Sequence, residues 1–251
     1  MYKGKSIAII IPARYGSSRL PGKPLAEICG KPMIQWGFEI AERSKLADRV
    51  MVATDDRRIF QAVKDFGGEV LMTKKSHPSG NNRVAEVARK VPHQVVVNLQ
   101  GDEPLMKAKI IDDGIRLLVD KKVLVTTPMT SLRRFEYNDS NVVKVIQNKE
   151  NIALDFFRAK PLRDNLDKKN FTYYHHLGLF IFQKKFLFQY VRWRPTPAEI
   201  SQQIDQLRIL DHGYPINLYF TKHNFPSVNT KTDLNLVRKL MKKFKLVKND
   251  T

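Results

Sequence analysis

The sequence predicts an α/β fold, a Rossmann-like and mostly parallel sheet flanked by helices, with a β-rich excursion in the second half. Three observations predict it. Short apolar, β-branched runs recur early in the chain: SIAIIIP (6–12), RVMVAT (49–54), EVLMT (69–73) and QVVVNL (94–99). Segments of helical period separate them, near 32–44, 56–66 and 80–90. The runs are apolar throughout rather than alternating, as strands buried on both faces are, and this implies βαβ units with right-handed crossovers.

The elements follow in order. The first strand is apolar from Ile7 to Ile11 and stops at Pro12. A loop from Pro12 to Pro24 leads to the helix at 32–44. The next three strands and two helices alternate as far as the phrase QGDEP (100–104). Beyond it a helix near 107–120 leads to the strand KVLVTTPM. NVVKVIQ, IALDFF and YYHHLGLFIF read as strands, KKFLFQYV and PAEISQQIDQLRIL as helices. The second of these helices opens with Pro197 and Glu199, residues suited to a first turn. INLYF is a last strand, and 230–246 a closing helix. With neither a Gly/Ser linker nor a repeat, the chain reads as one domain over 1–251. The 131–190 region is the β-rich excursion, expected to contribute to an acceptor site and a dimer contact.

Composition excludes several classes. A hydrophobic content of 42% supports a core and excludes global disorder. No run approaches the roughly 18 apolar residues of a spanning helix, so a soluble, cytoplasmic protein is expected. The single cysteine, Cys29, allows no intrachain disulfide or cysteine-based zinc site, and reads as a packing residue before a nucleophile. The formal charge of +19 admits nucleic acid, an anionic surface or a polyanionic small substrate. Basic residues are spread through both halves and cluster only in the tail KLMKKFKLVKND.

In open α/β sheets ligands bind beyond the carboxyl ends of the strands. The loop after the first strand lies there. Gly16, Ser17 and Ser18 allow backbone N–H groups to approach a ligand, and Arg14, Arg19 and Lys23 add cations. Together they suit a phosphate cradle, although neither the P-loop nor the dinucleotide glycine pattern is present. On spacing alone a solvated turn with surface arginines fits equally well. QGDEP places Asp102 at another strand end, where an acid can hold a hard cation or cap the next helix.

The phrase IPARYGSSRLPGKPL resembles the N-terminal signature of the 3-deoxy-manno-octulosonate cytidylyltransferases, the CMP-Kdo synthetase family. The likeness continues through GKPMIQW, VATDD, FGGEVLMT, HPSGNNRVAEVA and VNLQGDEPL. It returns more faintly at NVVKV, HHLGLF, DQLRIL and SVNTKTDL. The resemblance implies a nucleotide-diphospho-sugar transferase type of sheet and a homodimer. It also implies a magnesium-dependent transfer from CTP to a 2-keto-3-deoxy sugar acid, releasing pyrophosphate. Such a reaction brings anions together. Two unit charges about 4 Å apart interact by about 4 kcal/mol at an effective dielectric near 20, so cations must converge on the phosphates.

By the same resemblance Arg14, Lys23 and Asp102 would be catalytic, and Asp102 a magnesium ligand. Nucleotide contacts would come from Pro12, Ala13, Arg14, Arg19 and Lys23, and from Ser79, Gly80, Arg83 and Gln100. Ser79 also reads simply as a helix cap. Arg158, His176, Asp205 and Gln206 would meet the acceptor, Arg158 through its carboxylate. A histidine at a strand position such as His176 also reads as structural.

The likeness breaks at particular places. SGNNR stands where the family has Ser-Gly-Thr-Glu/Asp-Arg, Phe157 replaces a serine, Asp205 a glutamate and His175 a basic residue. SVNT replaces Gly-Val-Asp-Thr, so the second metal aspartate is Asn229, an uncharged and doubtful ligand. Three explanations stand: a modified sugar acid as acceptor, a slow enzyme on Kdo itself, or a homologue that binds CTP without turnover. Transfer to a phosphate or phosphonate acceptor is a further enzymatic alternative. Nucleic-acid binding is the non-enzymatic one, although no motif for it appears.

Overall fold

The structure is a computed structural model that describes residues 1–17, 19–159, 161 and 171–249, with side chains as far as Lys243 in the last helix. Ser18 of the loop after the first strand and part of the 131–190 region lie outside the described residues, as do the side chains of the basic tail beyond Lys243.

β1 (Ile7–Ala13) lies between β4 (Arg49–Thr54) and β6 (Val95–Leu99), parallel to both, with Ile9 opposite Val50 on one side and Val97 on the other. β5 (Val70–Met72) adds a parallel edge beside β4. Successive side chains of a strand point to opposite faces, and here both faces are covered. Ala8 and Ile10 join Val84 and Val87 of α3 (Gly80–Arg89) on one side. Ile7, Ile9 and Ile11 join Ile34 and Phe38 of α1 (Met33–Glu42) and Ile111 and Ile115 of α4 (Ala108–Asp120) on the other. This is why the run is apolar without alternation. α2 (Arg57–Asp65) opens with Asp56 accepting from the Arg58 N–H at 2.9 Å.

The second half extends the same sheet. β11 (Leu179–Gln183) runs antiparallel between β6 and β7 (Val125–Ser131). β10 (Tyr173–His176), β8 (Lys144–Gln147) and β9 (Ala153–Phe157) continue antiparallel beyond β7, and β12 (Asn217–Phe220) pairs parallel with β7. β7 changes partner from β11 at Thr126 to β10 at Met129, and Pro128, with no N–H to offer, falls in the changeover.

Two predicted elements divide. YYHHLGLFIF breaks at Leu177–Gly178 into β10 and β11. PAEISQQIDQLRIL forms α6 (Pro197–Gln202) and α7 (Gln206–Asp211), separated by Gln203 at φ 54°, a left-handed residue that ends the first helix, and by the buried Ile204. α5 (Lys184–Tyr190) precedes them. β2 (Glu27–Ile28) and β3 (Lys31–Pro32) form a small hairpin that the sequence reading missed. α8 (Lys231–Asn249) packs Leu234, Val237 and Met241 against Ile28 of this hairpin and Met33. Among the described residues no helix is long and apolar enough to cross a membrane.

Candidate active site

A cleft of about 900 Å³ opens beyond the carboxyl ends of β1 and β6. The loop after β1 forms its first wall. Its backbone turns on the Tyr15 carbonyl, which accepts from the N–H groups of Ser17 and Gly22, both at 2.9 Å. Gly22 has φ 70°, and a Cβ there would stand 3.1 Å from the Tyr15 ring, so the turn needs glycine twice over. The opposite face of the loop is held by Arg58, whose guanidinium lies 3.3 Å from the centre of the Tyr15 ring. A short 3₁₀ turn at Lys23–Leu25 then aims Lys23 inward.

Lys23 Nζ donates to Asp102 Oδ2 at 2.6 Å and to the Val228 carbonyl at 3.0 Å. The Val228 N–H donates back to the Asp102 carbonyl at 2.9 Å. Three distant segments therefore meet at Asp102. Arg14 is exposed at the rim of the cleft and carries neither hydrogen bond nor ion pair among the described residues. Arg19 donates to Asn141 Oδ1 and, at 3.2 Å, to Asn229 Oδ1. Beside Asp102, Glu103 is half-buried and accepts from the Gly178 N–H at 3.1 Å. Burial, and then the Asp102 charge, push its carboxyl up to about 8, so it is protonated at neutral pH.

α3 forms the second wall. Ser79 caps it, accepting from the Asn82 N–H at 3.4 Å. Gly80 lets the helix start close to Pro12, whose Cγ would be 3.4 Å from an added Cβ. Behind Gly80 runs a polar chain. Gln100 Nε2 donates to Asn98 Oδ1 at 3.1 Å, Asn98 Nδ2 to Asn81 Oδ1 at 2.8 Å, and Asn81 Nδ2 to Asp205 Oδ2 at 3.0 Å. Burial raises the Asp205 carboxyl above its ordinary range. Arg83 touches the cleft, but its guanidinium is held by Thr73 and, at 2.9 Å, by Asp55 Oδ2, so it anchors α3 to the end of β4.

The far wall comes from the antiparallel half of the sheet. Arg158 is fastened by four main-chain carbonyls, among them Gln202 and Ser140 at 3.0 and 2.9 Å. His176 sits between the rings of Phe156 and Phe180, 5.3 and 5.1 Å away. Thr127 Oγ1 donates to the Leu179 carbonyl at 2.7 Å and so accepts from His176 Nε2, also at 2.7 Å. Burial, then His175 and Arg158, lower the His176 pKa to about 3. The ring is neutral, with its proton on Nε2, and is an orienting group rather than a counter-charge. Gln206 opens α7 at the cleft margin, and the buried pair Glu199–Arg208 ties α6 to α7 beneath it. Space is tight at Gly178: an added Cβ would stand 3.0 Å from Glu103 Oε1 and 3.1 Å from Gln100 Cβ.

Every candidate residue from Pro12 to Asn229 lines this one cleft. The sequence reading missed Asn81, Asn98, Asn141, Glu199 and Arg208. Asn98 could have been noticed as the one polar residue inside QVVVNL; the others sit in segments whose pairing is visible only in three dimensions. As for metal, Asp102 offers a carboxylate and Asn229 an amide oxygen. Among the described residues no three His, Cys, Asp or Glu gather to hold an ion by themselves. The oxygen donors present suit a hard divalent cation.

A cation-bearing loop and an acidic residue at neighbouring strand ends of an α/β sheet, facing a second polar wall, define a nucleotidyltransferase. The sequence profile of the cytidylyltransferases matches residues 8–223, and the chain belongs to that family. It is 39% identical to the 3-deoxy-manno-octulosonate cytidylyltransferase of Geobacter metallireducens, across 96% of this chain and 99% of that one. With the enzyme of the same name from Vibrio cholerae serotype O1 the identity is 42%, over 94% and 98%. A solved CMP:2-keto-3-deoxy-manno-octonic acid synthetase complexed with CTP superposes with a TM-score of 0.87 at 36% identity, covering 95% and 99%. The 4-diphosphocytidyl-2C-methyl-D-erythritol synthase of Anaerococcus prevotii, at 16% identity and a TM-score of 0.66 over 95% and 97%, shares the fold.

Proposed function

We propose that the chain transfers the CMP group of CTP to the anomeric hydroxyl of a 2-keto-3-deoxy sugar acid, Kdo or a modified Kdo. The bond between the α- and β-phosphates breaks, the bond from α-phosphorus to the sugar oxygen forms, and pyrophosphate leaves. The observation that carries this reading is the pairing of two unlike walls in one cleft. Lys23, Arg14 and Asp102 face the loop side, while a carbonyl-fastened Arg158 and a neutral His176 face the other. Strong identity to enzymes named for that reaction supports it.

In this reading Arg14 and Lys23 bind the triphosphate, and the backbone of Pro12–Ala13, Ser79 and Gly80 borders the nucleoside, with Gln100 at its base edge. Arg83 keeps α3 in place for that contact. Arg158 takes the acceptor's carboxylate by its charge and by the one Nη2 N–H that its carbonyl contacts leave over. His176 and Gln206 orient its hydroxyls, and Asp205 holds Asn81 and through it the base-side network. Asp102, with Asn229 as a neutral second donor, would hold a divalent ion, magnesium in this reading, which would supply positive charge against the triphosphate. The protonated Glu103 lets Asp102 be the sole carboxylate charge at that point, its N–H contact with Gly178 fixing the loop. A cytoplasmic homodimer meeting through the 131–190 region belongs to the same reading. Phe135 is 71% exposed in that region.

The test is pyrophosphate release from CTP and magnesium with Kdo and its analogues. Turnover with at least one 2-keto sugar acid is expected, and none with any would overturn the reading. Calorimetry with CTP should show affinity lost when Arg14 and Lys23 are neutralised together.

A further inference from the structure

Besides Arg14, two arginines at the cleft, Arg19 and Arg158, stand without an anion among the described residues. Arg19 is held by amide oxygens, Asn141 Oδ1 and Asn229 Oδ1. Arg158 is held by carbonyls, including that of Asn141 at 3.4 Å. Among the described residues neither is paired with a carboxylate. Both guanidiniums thus converge on one residue, Asn141, and the charge of Arg19 contributes, after burial, to lowering the pKa of Arg158. Two cations brought together repel until an anion arrives between them.

The residue behind them is Lys144. It is fully buried, which is costly for an ammonium. Its Nζ donates to the Asp139 carbonyl and the Arg158 carbonyl, both at 2.6 Å. Asp139 then orients Asn141: its Oδ1 accepts from the Asn141 N–H at 2.8 Å and from Nδ2 at 3.0 Å, which leaves Asn141 Oδ1 for Arg19. One ammonium therefore fastens the main chain that carries Arg158 and the turn that presents Asn141 to Arg19. Arg158 itself anchors to Ser140 of that turn at 2.9 Å.

We infer that Lys144 and Asn141 are positioning residues that hold Arg19 and Arg158 as a double guanidinium seat for the carboxylate of the acceptor. The inference rests on the function proposed above. It moves Arg19 from the triphosphate to the acceptor, leaving Arg14 and Lys23 on the nucleotide. Lys144 touches neither substrate and acts through the two arginines.

Steady-state kinetics on the full chain with CTP test it, using Kdo and its primary carboxamide as acceptors. Asn141→Ala and Lys144→Met should each raise KM for Kdo about tenfold or more, the scale of a lost charge-assisted hydrogen bond. KM for CTP should stay within about twofold, and the preference for acid over amide should narrow. Equal rises in both KM values, or an unchanged acid preference, overturn the inference. Asn141 is only half-buried, so its variant carries the test if Lys144→Met does not fold. Calorimetry of Kdo binding in the presence of CMP separates two failures. Absence of turnover with wild-type protein sinks the function, whereas equal Kdo affinity of wild type and Asn141→Ala sinks the seat.

Discussion

Replacing Arg208 by methionine isolates the energetics of the margin that carries Gln206. Arg208 and Glu199 are buried, 3% and 7% exposed. Nε donates to Glu199 Oε2 at 2.6 Å, Nη2 donates to Oε1, and Nη1 reaches the Trp193 carbonyl at 3.0 Å. The guanidinium also lies 5.3 Å from the centre of the Tyr190 ring. Methionine matches much of the stem but leaves the Glu199 carboxylate buried without its cation. Breaking a buried pair in this way costs about 3–5 kcal/mol. For a chain of this size each kcal/mol lowers Tm by about 2–4 °C, so the expected drop is about 6–20 °C. Differential scanning calorimetry at neutral pH measures it. The double variant Glu199→Leu/Arg208→Met removes both charges and should recover most of the loss, because a buried pair replaced by apolar groups is close to neutral. A drop of less than about 2 °C in the single variant, or a double variant no more stable than the single, refutes the reasoning.

Three more outcomes are expected. His176 is buried neutral, with its folded pKa at about 3, below the ordinary value of 6.5. The unfolded chain therefore binds more protons between these values, so this stabilising contribution is present above pH 6.5 and lost as pH falls toward 3. Urea unfolding at pH 7 and 4.5 should show wild type losing more stability on acidification than His176→Gln, whose amide can keep the donation to Thr127. Asn229→Asp places a carboxylate at the proposed metal position, and metal titrations of activity should show half-saturation at a lower magnesium concentration, about tenfold lower on the scale of one charged ligand. Gly178→Ala places a Cβ 3.0 Å from Glu103 Oε1 and 3.1 Å from Gln100, so it should cost about 1–3 kcal/mol in calorimetry and depress kcat by moving the loop that bears Asp102.

The parallel half of the fold was legible because burial on both faces leaves a simple trace: IAIII, RVMVAT and VVVNL contain little but side chains that need covering. The antiparallel half was legible as strands but not as an order, since the insertion of β11 between β6 and β7 leaves no mark on any one segment. The β2–β3 hairpin was missed because its strands are two residues each. Its turn depends on Cys29 at φ 50° and Gly30 at φ 79°, and only the glycine announces itself. Cys29, expected to be a packing residue, packs at the margin of the cluster joining Ile28 to α8. The loop at 12–24 was readable because its composition is so uneven. The Lys144 clamp was not, since an internal lysine in NVVKVIQ looks like any solvated strand residue until its neighbours close over it. PAEISQQIDQLRIL kept a helical period across a break because Ile204 preserves the spacing while Gln203 turns the backbone.

The ten hydrogen-bonded strands form one continuous sheet, with β11 serving as the seam between its two halves. Among the described residues the loop after β1, Asp102 after β6 and His176 on β10 all spring from that single slab and share its frame. On the proposed function, the distance between the donor and recipient binding positions is thus set when the sheet forms, and adjustment to a reactant falls to the connecting segments at the rim. Altered preference among sugar acids should accordingly arise from exchanges in those segments, with the slab left as it is.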